Sequence, residues 1–168
     1  MDSPFKIVGY DLDGVLCELF QPDKSFMKCN GEERKERKKL KLLHIKTAKK
    51  LRDTEGDEIY IVTARKDDVR FETIQWLKKN NIKYHKLLML QEARTRRNII
   101  DFKQRMIEYY HIDIFYEDDP KIVRALSKRL KNVNVILIEN LLSKPVLEKD
   151  LRERLKSFNE DKILKNNP

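Results

Sequence analysis

Residues 5–15 read FKIVGYDLDGV. Phe5, Ile7 and Val8 form an apolar run, and Asp11, Asp13 and Gly14 close it. An apolar run that ends at once in two carboxylates reads as a buried strand with an acidic tip. Alternate side chains of a strand share a face, so Asp11 and Asp13 would point the same way if the strand continued. Gly14 instead marks a sharp turn that closes a small pocket around both. Two like charges taken out of water need a cation or a partner to compensate them. For oxygen ligands the usual remedy is a divalent metal, Mg²⁺ above all. One carboxylate could then attack as a nucleophile while the other moves a proton.

The rest of the chain repeats the strand signal, with helical patterns in between. A helix starts near Glu32, buries Leu40, Leu43, Thr47, Ala48 and Leu51, and ends at TEGD, residues 54–57. EIYIVTAR (58–65) is a second strand with Thr63 at its tip. Asp67 or Asp68 caps a helix whose core side is Phe71, Ile74, Trp76 and Leu77. Residues 84–90 form a third strand, followed by the Arg-rich loop QEARTRRN. Ile99, Phe102, Met106 and Tyr110 mark another helix, and residues 112–116 a fourth strand ending in Glu117, Asp118 and Asp119. Pro120 suits the first turn of the next helix, with Asp119 as N-cap and Ile122, Val123, Leu126 and Leu130 as its buried stripe. Residues 133–138 are a fifth strand.

Strands alternating with helices predict an α/β fold: a Rossmann-like parallel sheet of about five strands with helices on both faces. Near-continuous apolar strands agree, because a parallel sheet is covered on both sides. Residues 145–158 read as one more amphipathic helix, with Leu147, Leu151, Leu155 and Phe158 on one side. It either packs back on the domain or joins a homodimer, and the tail DKILKNNP is expected to fray. The expected division is a core at 1–140, with a flap or short insertion at 16–32, and a C-terminal helix and tail at 141–168.

A chain of 168 residues suits one domain with a real core. Charged residues make up 39% and the formal net charge is +9, which suits acidic partners such as nucleotides, nucleic acid or other phosphates. Lys-rich faces that only keep the protein soluble are the alternative. No apolar run reaches membrane-spanning length and the N-terminus lacks a signal-peptide pattern. Cys17 and Cys29 form neither a metal-ligand spacing nor a disulfide framework, so a reduced, cytoplasmic setting is expected. His44, His85 and His111 are scattered and receive no role.

In an open parallel sheet, ligands bind beyond the carboxyl ends of the strands. Asp11 and Asp13, Thr63 and Arg65, and Asp118 and Asp119 occupy three such tips. Any one of these sets could be turn or capping chemistry, but all three suit phosphate and metal.

The DLDGV string resembles the first motif of the haloacid dehalogenase superfamily of phosphohydrolases. IVTA at 61–64 is similar to the second motif, EDD at 117–119 to the fourth, and Lys103 in DFKQRMI to the third, with Arg97 and Lys86 as alternatives for that cation. The resemblance covers residues 5–138. It implies that Asp11 attacks phosphorus to form an aspartyl-phosphate and that Asp13 protonates the leaving oxygen, then takes a proton from water. It also implies that Thr63 binds a phosphoryl oxygen and Lys103 offsets charge. Mg²⁺ would be held by Asp11, Asp13 through its backbone carbonyl, Asp118, and Asp119 through water.

Selectivity in this superfamily comes largely from cap insertions. The two insertion windows here, 16–32 and 91–98, leave room for a flap and a loop, so the site has a minimal cap or none. An open site suits a large phosphorylated substrate. Arg65, Lys66 and Arg70 after the second strand and Arg94, Arg96 and Arg97 after the third are expected to face it, together with Thr63 and Ala64. The segment TARKDDVRFETIQWLKKNNIKYHKLLM resembles the phosphatase domain of polynucleotide kinase–phosphatases and the 5′(3′)-deoxyribonucleotidases. No Gly-rich GKS loop accompanies it. The implied function is a Mg²⁺-dependent phosphomonoester hydrolase acting on nucleic-acid 3′-phosphate ends or nucleotides. Rivals are a phosphatase of sugar phosphates or phosphoproteins and a non-catalytic nucleic-acid-binding protein. A receiver-type signalling domain is disfavoured, since its reactive Asp belongs where this chain has Met89, Leu90 and Gln91.

Overall fold

The acidic-tipped strand β1 (Ile7–Tyr10) is the middle strand of the main sheet. The computed structural model describes residues 5–22, 31–140 and 144–165. In chain order the further elements are β2 (Phe20–Gln21), α1 (Gly31–Thr47), β3 (Glu58–Lys66), α2 (Arg70–Lys79), β4 (Lys86–Leu90), α3 (Arg96–Tyr109), β5 (Ile114–Glu117), α4 (Pro120–Arg129), β6 (Asn134–Leu137), β7 (Val146–Leu147) and α5 (Glu148–Lys165). The main sheet has five strands in the order β4-β3-β1-β5-β6, and every pairing is parallel. The chain lays β3 and β4 on one side of β1, then crosses to lay β5 and β6 on the other. The reversal places a crevice at the carboxyl ends of β1 and β5.

Helices cover both faces, as the alternating pattern predicts. Along β3, Ile59 and Ile61 join Ile45, Trp76 and Leu77 of α1 and α2 in one core. Tyr60 and Val62 face the other way and join Ile100, Phe102, Ile107 and Leu126 of α3 and α4. This is period-two alternation with both faces dry, the usual reading of a central parallel strand.

Several boundaries differ from the sequence reading for identifiable reasons. α1 stops at Thr47, not at residues 54–57. The backbone beyond it pairs with the loop after β1: Glu18 N–H donates to Lys49 O (2.9 Å) and Leu51 N–H to Leu16 O (2.8 Å). Neither Asp67 nor Asp68 caps α2. They lie in a 3₁₀ turn, Asp67–Val69, and the N-cap position falls to Val69 without a side-chain bond. α2 is rotated so that Thr73, Trp76 and Leu77 point inward while Phe71 is 70% exposed. The Trp76 indole N–H donates to Ala48 O at 2.8 Å, which fixes that rotation. Asp119 does cap α4, accepting from Lys121 N–H at 2.8 Å.

The C-terminal helix packs back on the chain. β7 pairs with β2 in a small parallel ladder, and Val146 and Leu151 bury against Leu40 of α1 with Phe20 and Leu155 beside them. α5 continues to Lys165, so the expected fraying does not begin at residue 161. Cys29 and much of the expected flap lie outside the described residues. No helix among the described residues is long and apolar enough to cross a membrane.

Candidate active site

β1, β5 and α3 bring four charged groups into one buried cluster. Lys103, 1% exposed, projects from α3 with Nζ 3.1 Å from Asp11 Oδ2 and 2.5 Å from Glu117 Oε2. It interrupts the apolar stripe of α3 made by Ile100, Phe102 and Ile107. Burial by itself would pull the ammonium down, but Asp11 and Glu117 outweigh it and hold it above its ordinary value. Glu117 Oε1 accepts the backbone N–H groups of Asp118 and Asp119, each at 3.1 Å. Glu117 thereby joins Lys103 to the turn that carries Asp118.

Asp11, Glu117 and Asp118 each offer an oxygen within 4.8 Å of the others. Burial pushes the Asp11 carboxyl well up; Lys103 opposes this, while Glu117, Asp118 and Asp13 add to it. Asp118 is pushed up to about 7, first by burial and then by Glu117. With all three carboxylates ionised, Lys103 would balance one charge and leave two, which is the crowding that helps to push Asp11 and Asp118 up. The oxygen donor set and this charge deficit fit one hard divalent cation. Asp11 and Asp118 would be its carboxylate ligands, because both oxygens of Glu117 are already engaged.

Asp13, two residues from Asp11, has a cationic setting. Arg65 Nε and Nη2 clasp its carboxylate at 2.9 and 2.7 Å. Burial opposes ionisation, but the guanidinium holds the Asp13 carboxyl well below the usual range. Arg65 is 3% exposed, and its Nη1 donates to Thr73 Oγ1 at 3.2 Å. Its own backbone N–H donates to Thr63 Oγ1 at 3.2 Å. Burial pushes the nearby Cys17 thiol up, so it stays a neutral sulfhydryl.

The loop that follows Asp13 is braced from three sides. A Cβ on Gly14 would stand 2.0 Å from Asp118 Oδ2, and Gly14 has φ +83, so only glycine fits. Arg52 Nε donates to Val15 O at 2.8 Å, and Arg52 Nη2 donates to Asn140 Oδ1 at 2.9 Å; Asn140 in turn donates to Gly14 O. Glu18, just beyond, accepts from Arg154 of α5 at 2.6 Å.

The structure brings Asp11, Asp13, Lys103 and Asp118 to one cleft of about 360 Å³, with Ala64 and Arg94 on its wall. It moves other expected members elsewhere. Arg65 is not a rim residue that faces substrate, since it is buried on Asp13. Lys66 donates to Gln91 O and Glu92 O, and Arg70 pairs with Asp67, so neither faces the cleft. Arg97 is 89% exposed and lies beside Asp101 on the outer face of α3, away from the cleft. Arg96 approaches Asp119 at 3.8 Å at the rim. Asp119 lines the cleft, but its Oδ1 caps α4, and Glu117 takes the third place in the acidic cluster. Thr63 is 1% exposed and does not line the cleft. Of the candidate third-motif cations, Lys103 reaches Asp11, whereas Lys86 lies over the Tyr110 ring. Glu117 belongs to the EDD string but receives no site role from the sequence, and Arg52 and Asn140 receive none either. A strand ending in three acids, of which only Asp119 caps a helix, was the available signal for Glu117.

No family model matches the chain, and no curated protein matches it. Among solved structures, a chain of the Pnkp1/Rnl/Hen1 RNA repair complex superposes with a TM-score of 0.51 and 16% identity over 82% of this chain and 43% of that one. A second structure of the Pnkp1/Rnl/Hen1 complex gives 0.52 and 19% identity, with 82% and 47% covered. A haloacid dehalogenase-like family hydrolase, SP0104 from Streptococcus pneumoniae, gives 0.50 and 14% identity, with 92% and 98% covered. The chain therefore spans less than half the length of the first two. The fold it shares with all three is the haloacid dehalogenase-like α/β fold, as the sequence motifs imply.

Proposed function

We propose that this chain is a Mg²⁺-dependent phosphomonoester hydrolase acting through an aspartyl-phosphate, on nucleic-acid 3′-phosphate ends or nucleotides. The observation that carries this reading is the pairing of two differently tuned carboxylates on one turn. Asp11 lies in the anionic cluster against Lys103, and Asp13 is held by Arg65. Asp11 attacks phosphorus with a carboxylate oxygen while the bond to the leaving oxygen breaks. Lys103 keeps Asp11 oriented and offsets charge on the nucleophile and phosphoryl group. Water then attacks the phosphorus of the acyl phosphate as Asp13 takes its proton, the bond from phosphorus to the Asp11 oxygen breaks, and inorganic phosphate and the free Asp11 carboxylate result.

As arranged, Asp13 is in its basic form, ready for that second half. To protonate a poor alkoxide leaving group it must first exchange its Arg65 contacts and take up a proton. Thr63 fixes the β3 tip through the Arg65 N–H in place of touching phosphate directly. A Mg²⁺ ion held by Asp11, Asp118 and the Asp13 carbonyl would neutralise the acidic cluster and draw in the phosphate dianion. Arg94 on the cleft wall and the likeness to an RNA repair assembly support a nucleotide or nucleic-acid substrate.

The test is phosphate release with Mg²⁺ from a 3′-phosphorylated oligonucleotide, a 5′-phosphorylated one, nucleoside monophosphates and a sugar phosphate. Asp11→Asn and EDTA serve as controls. Release from the nucleic-acid or nucleotide substrates that both controls abolish is the expected result. Turnover confined to the sugar phosphate overturns the substrate assignment, and full turnover by Asp11→Asn overturns the mechanism.

A further inference from the structure

The first half of α1 carries a row of cations set apart from the residues that the helix buries. Arg34, Arg37, Lys38 and Lys41 recur at spacings of three and four, so they share one helix face. The residues that α1 buries are Leu40, Leu43, His44 and Ile45. With Asp68 and Val69 the four cations line a groove of about 360 Å³ between α1 and the turn that follows β3. Among the described residues, Arg34, Lys38 and Lys41 have no carboxylate at ion-pair distance. Glu36 of the same helix is taken by Arg152 of α5.

The groove adjoins the cleft through the end of β3. Asp68 and Val69 belong to the turn directly after β3, and Ala64, near the end of that strand, lines the cleft. Lys41, half-buried, lines the groove beside that turn. Cations that repeat with each helical turn of about 5.4 Å, and lead to a phosphate-sized site, suit a regular string of phosphates. An acidic peptide offers no such regular repeat. Among the described residues no aromatic side chain lines the groove, which suits contact with the phosphate backbone over stacking on the bases.

We propose that this α1 groove holds the polynucleotide strand that leads to the terminal phosphate in the Asp11 cleft, making a nucleic-acid end the substrate in preference to a free mononucleotide. The proposal rests on the phosphatase reading above for the role of the cleft.

The test measures binding in EDTA, which separates it from turnover. The probe is a fluorescent, 3′-phosphorylated single-stranded DNA of about ten nucleotides, a length one small domain can cover. Arg34→Gln with Lys38→Gln is compared with Lys128→Gln with Lys131→Gln, two exposed lysines at the amino-terminal edge of the sheet. All four side chains are exposed, and melting temperatures verify that both variants fold. The groove variant is expected to bind at least about fivefold more weakly, with the slope of log affinity against log salt reduced by about 1.4, two single-strand contacts' worth. The control variant is expected to bind as the wild type does.

Equal weakening by both variants, or none by the groove variant, overturns the proposal. So does an acidic phosphopeptide that displaces the probe as well as unlabelled DNA does. A wild-type protein that binds through the groove but releases no phosphate would remove the phosphatase reading and keep the groove. Phosphate release without a groove effect would do the reverse.

Discussion

Asp11 and Asp13 stand two positions apart on one turn, and the protein places them in opposite electrostatic settings. Around Asp11 are Glu117 and Asp118, with Lys103 as the counter-charge, and its carboxyl is pushed up. Around Asp13 are Arg65 and, behind it, Thr73 of α2, and its carboxyl is held down. Sequence separation does not decide ionisation; the elements packed on either side do. β5 and α3 supply the anionic half and β3 and α2 the cationic half. One residue type can thereby take two chemical roles.

The largest expected effect removes the proposed nucleophile. Asp11→Asn should lower phosphate release by about 10³-fold or more, since an amide does not form the acyl phosphate. Asp13→Asn should hurt alkyl phosphates more than aryl phosphates, whose leaving groups need no proton. Equal losses on both substrate types would break the division of labour between the two carboxylates.

The cationic half can be tested through stability. Arg65→Ala leaves Asp13 with an unpaired charge and should cost about 3 kcal/mol in denaturant unfolding, because losing one partner of a buried pair strands the other. Removing both, Asp13→Ala with Arg65→Ala, should recover most of that loss. A double variant no more stable than the single one would show that Arg65 acts by some means other than pairing.

On the anionic half the same logic reverses. Asp118→Asn relieves crowding with Asp11 and Glu117, so the metal-free protein should gain about 1 kcal/mol of stability at neutral pH. Mg²⁺ is expected to stabilise the wild type and to have no such effect on this variant. A thermal melt with and without Mg²⁺ reads both effects, and a destabilised variant would show that the cluster is not repulsive.

The smallest effect concerns His44, beneath the Asp13 side. It is buried, its Nε2–H donates to Glu18 O at 3.0 Å, and burial lowers its pKa from the ordinary 6.5. The unfolded chain takes up the proton first, so this contribution is complete above pH 6.5 and is lost as pH falls through the depressed value. The slope cannot exceed about 1.4 kcal/mol per pH unit for one proton. His44→Gln should flatten the acid limb of unfolding free energy below that point, and an unchanged limb would assign it to other groups.

Much of the site was legible because its parts sit where local pattern is strong. Asp11 and Asp118 end apolar strands, and Lys103 lies on a helix whose period was visible. Arg65 was misplaced for a tertiary reason. It keeps the parity of Ile59 and Ile61 and so lies on the α1–α2 side of the sheet, where Thr73 of α2 and the Asp13 carboxylate meet its guanidinium. Its two partners come from other elements, so the local pattern does not distinguish it from a rim cation. Asp119 had two readings, ligand and cap, and the helix start claimed it, leaving Glu117 to tie Lys103 to the Asp118 turn. The inward side of α2 was also misjudged. Thr73 is buried because Arg65 needs its hydroxyl, a demand made by a residue eight positions away on another element.

By itself the sequence determined the alternation of strands and helices, the parallel class of the sheet and the acidic tips of β1 and β5, because each follows from side-chain period and turn chemistry over a few residues. Only the tertiary structure decided the order β4-β3-β1-β5-β6, the seat of α5 on α1 and the opposite charge settings of Asp11 and Asp13. Those depend on which distant groups are brought within a few ångströms, and ionisation answers to burial and neighbouring charge, which no local pattern records.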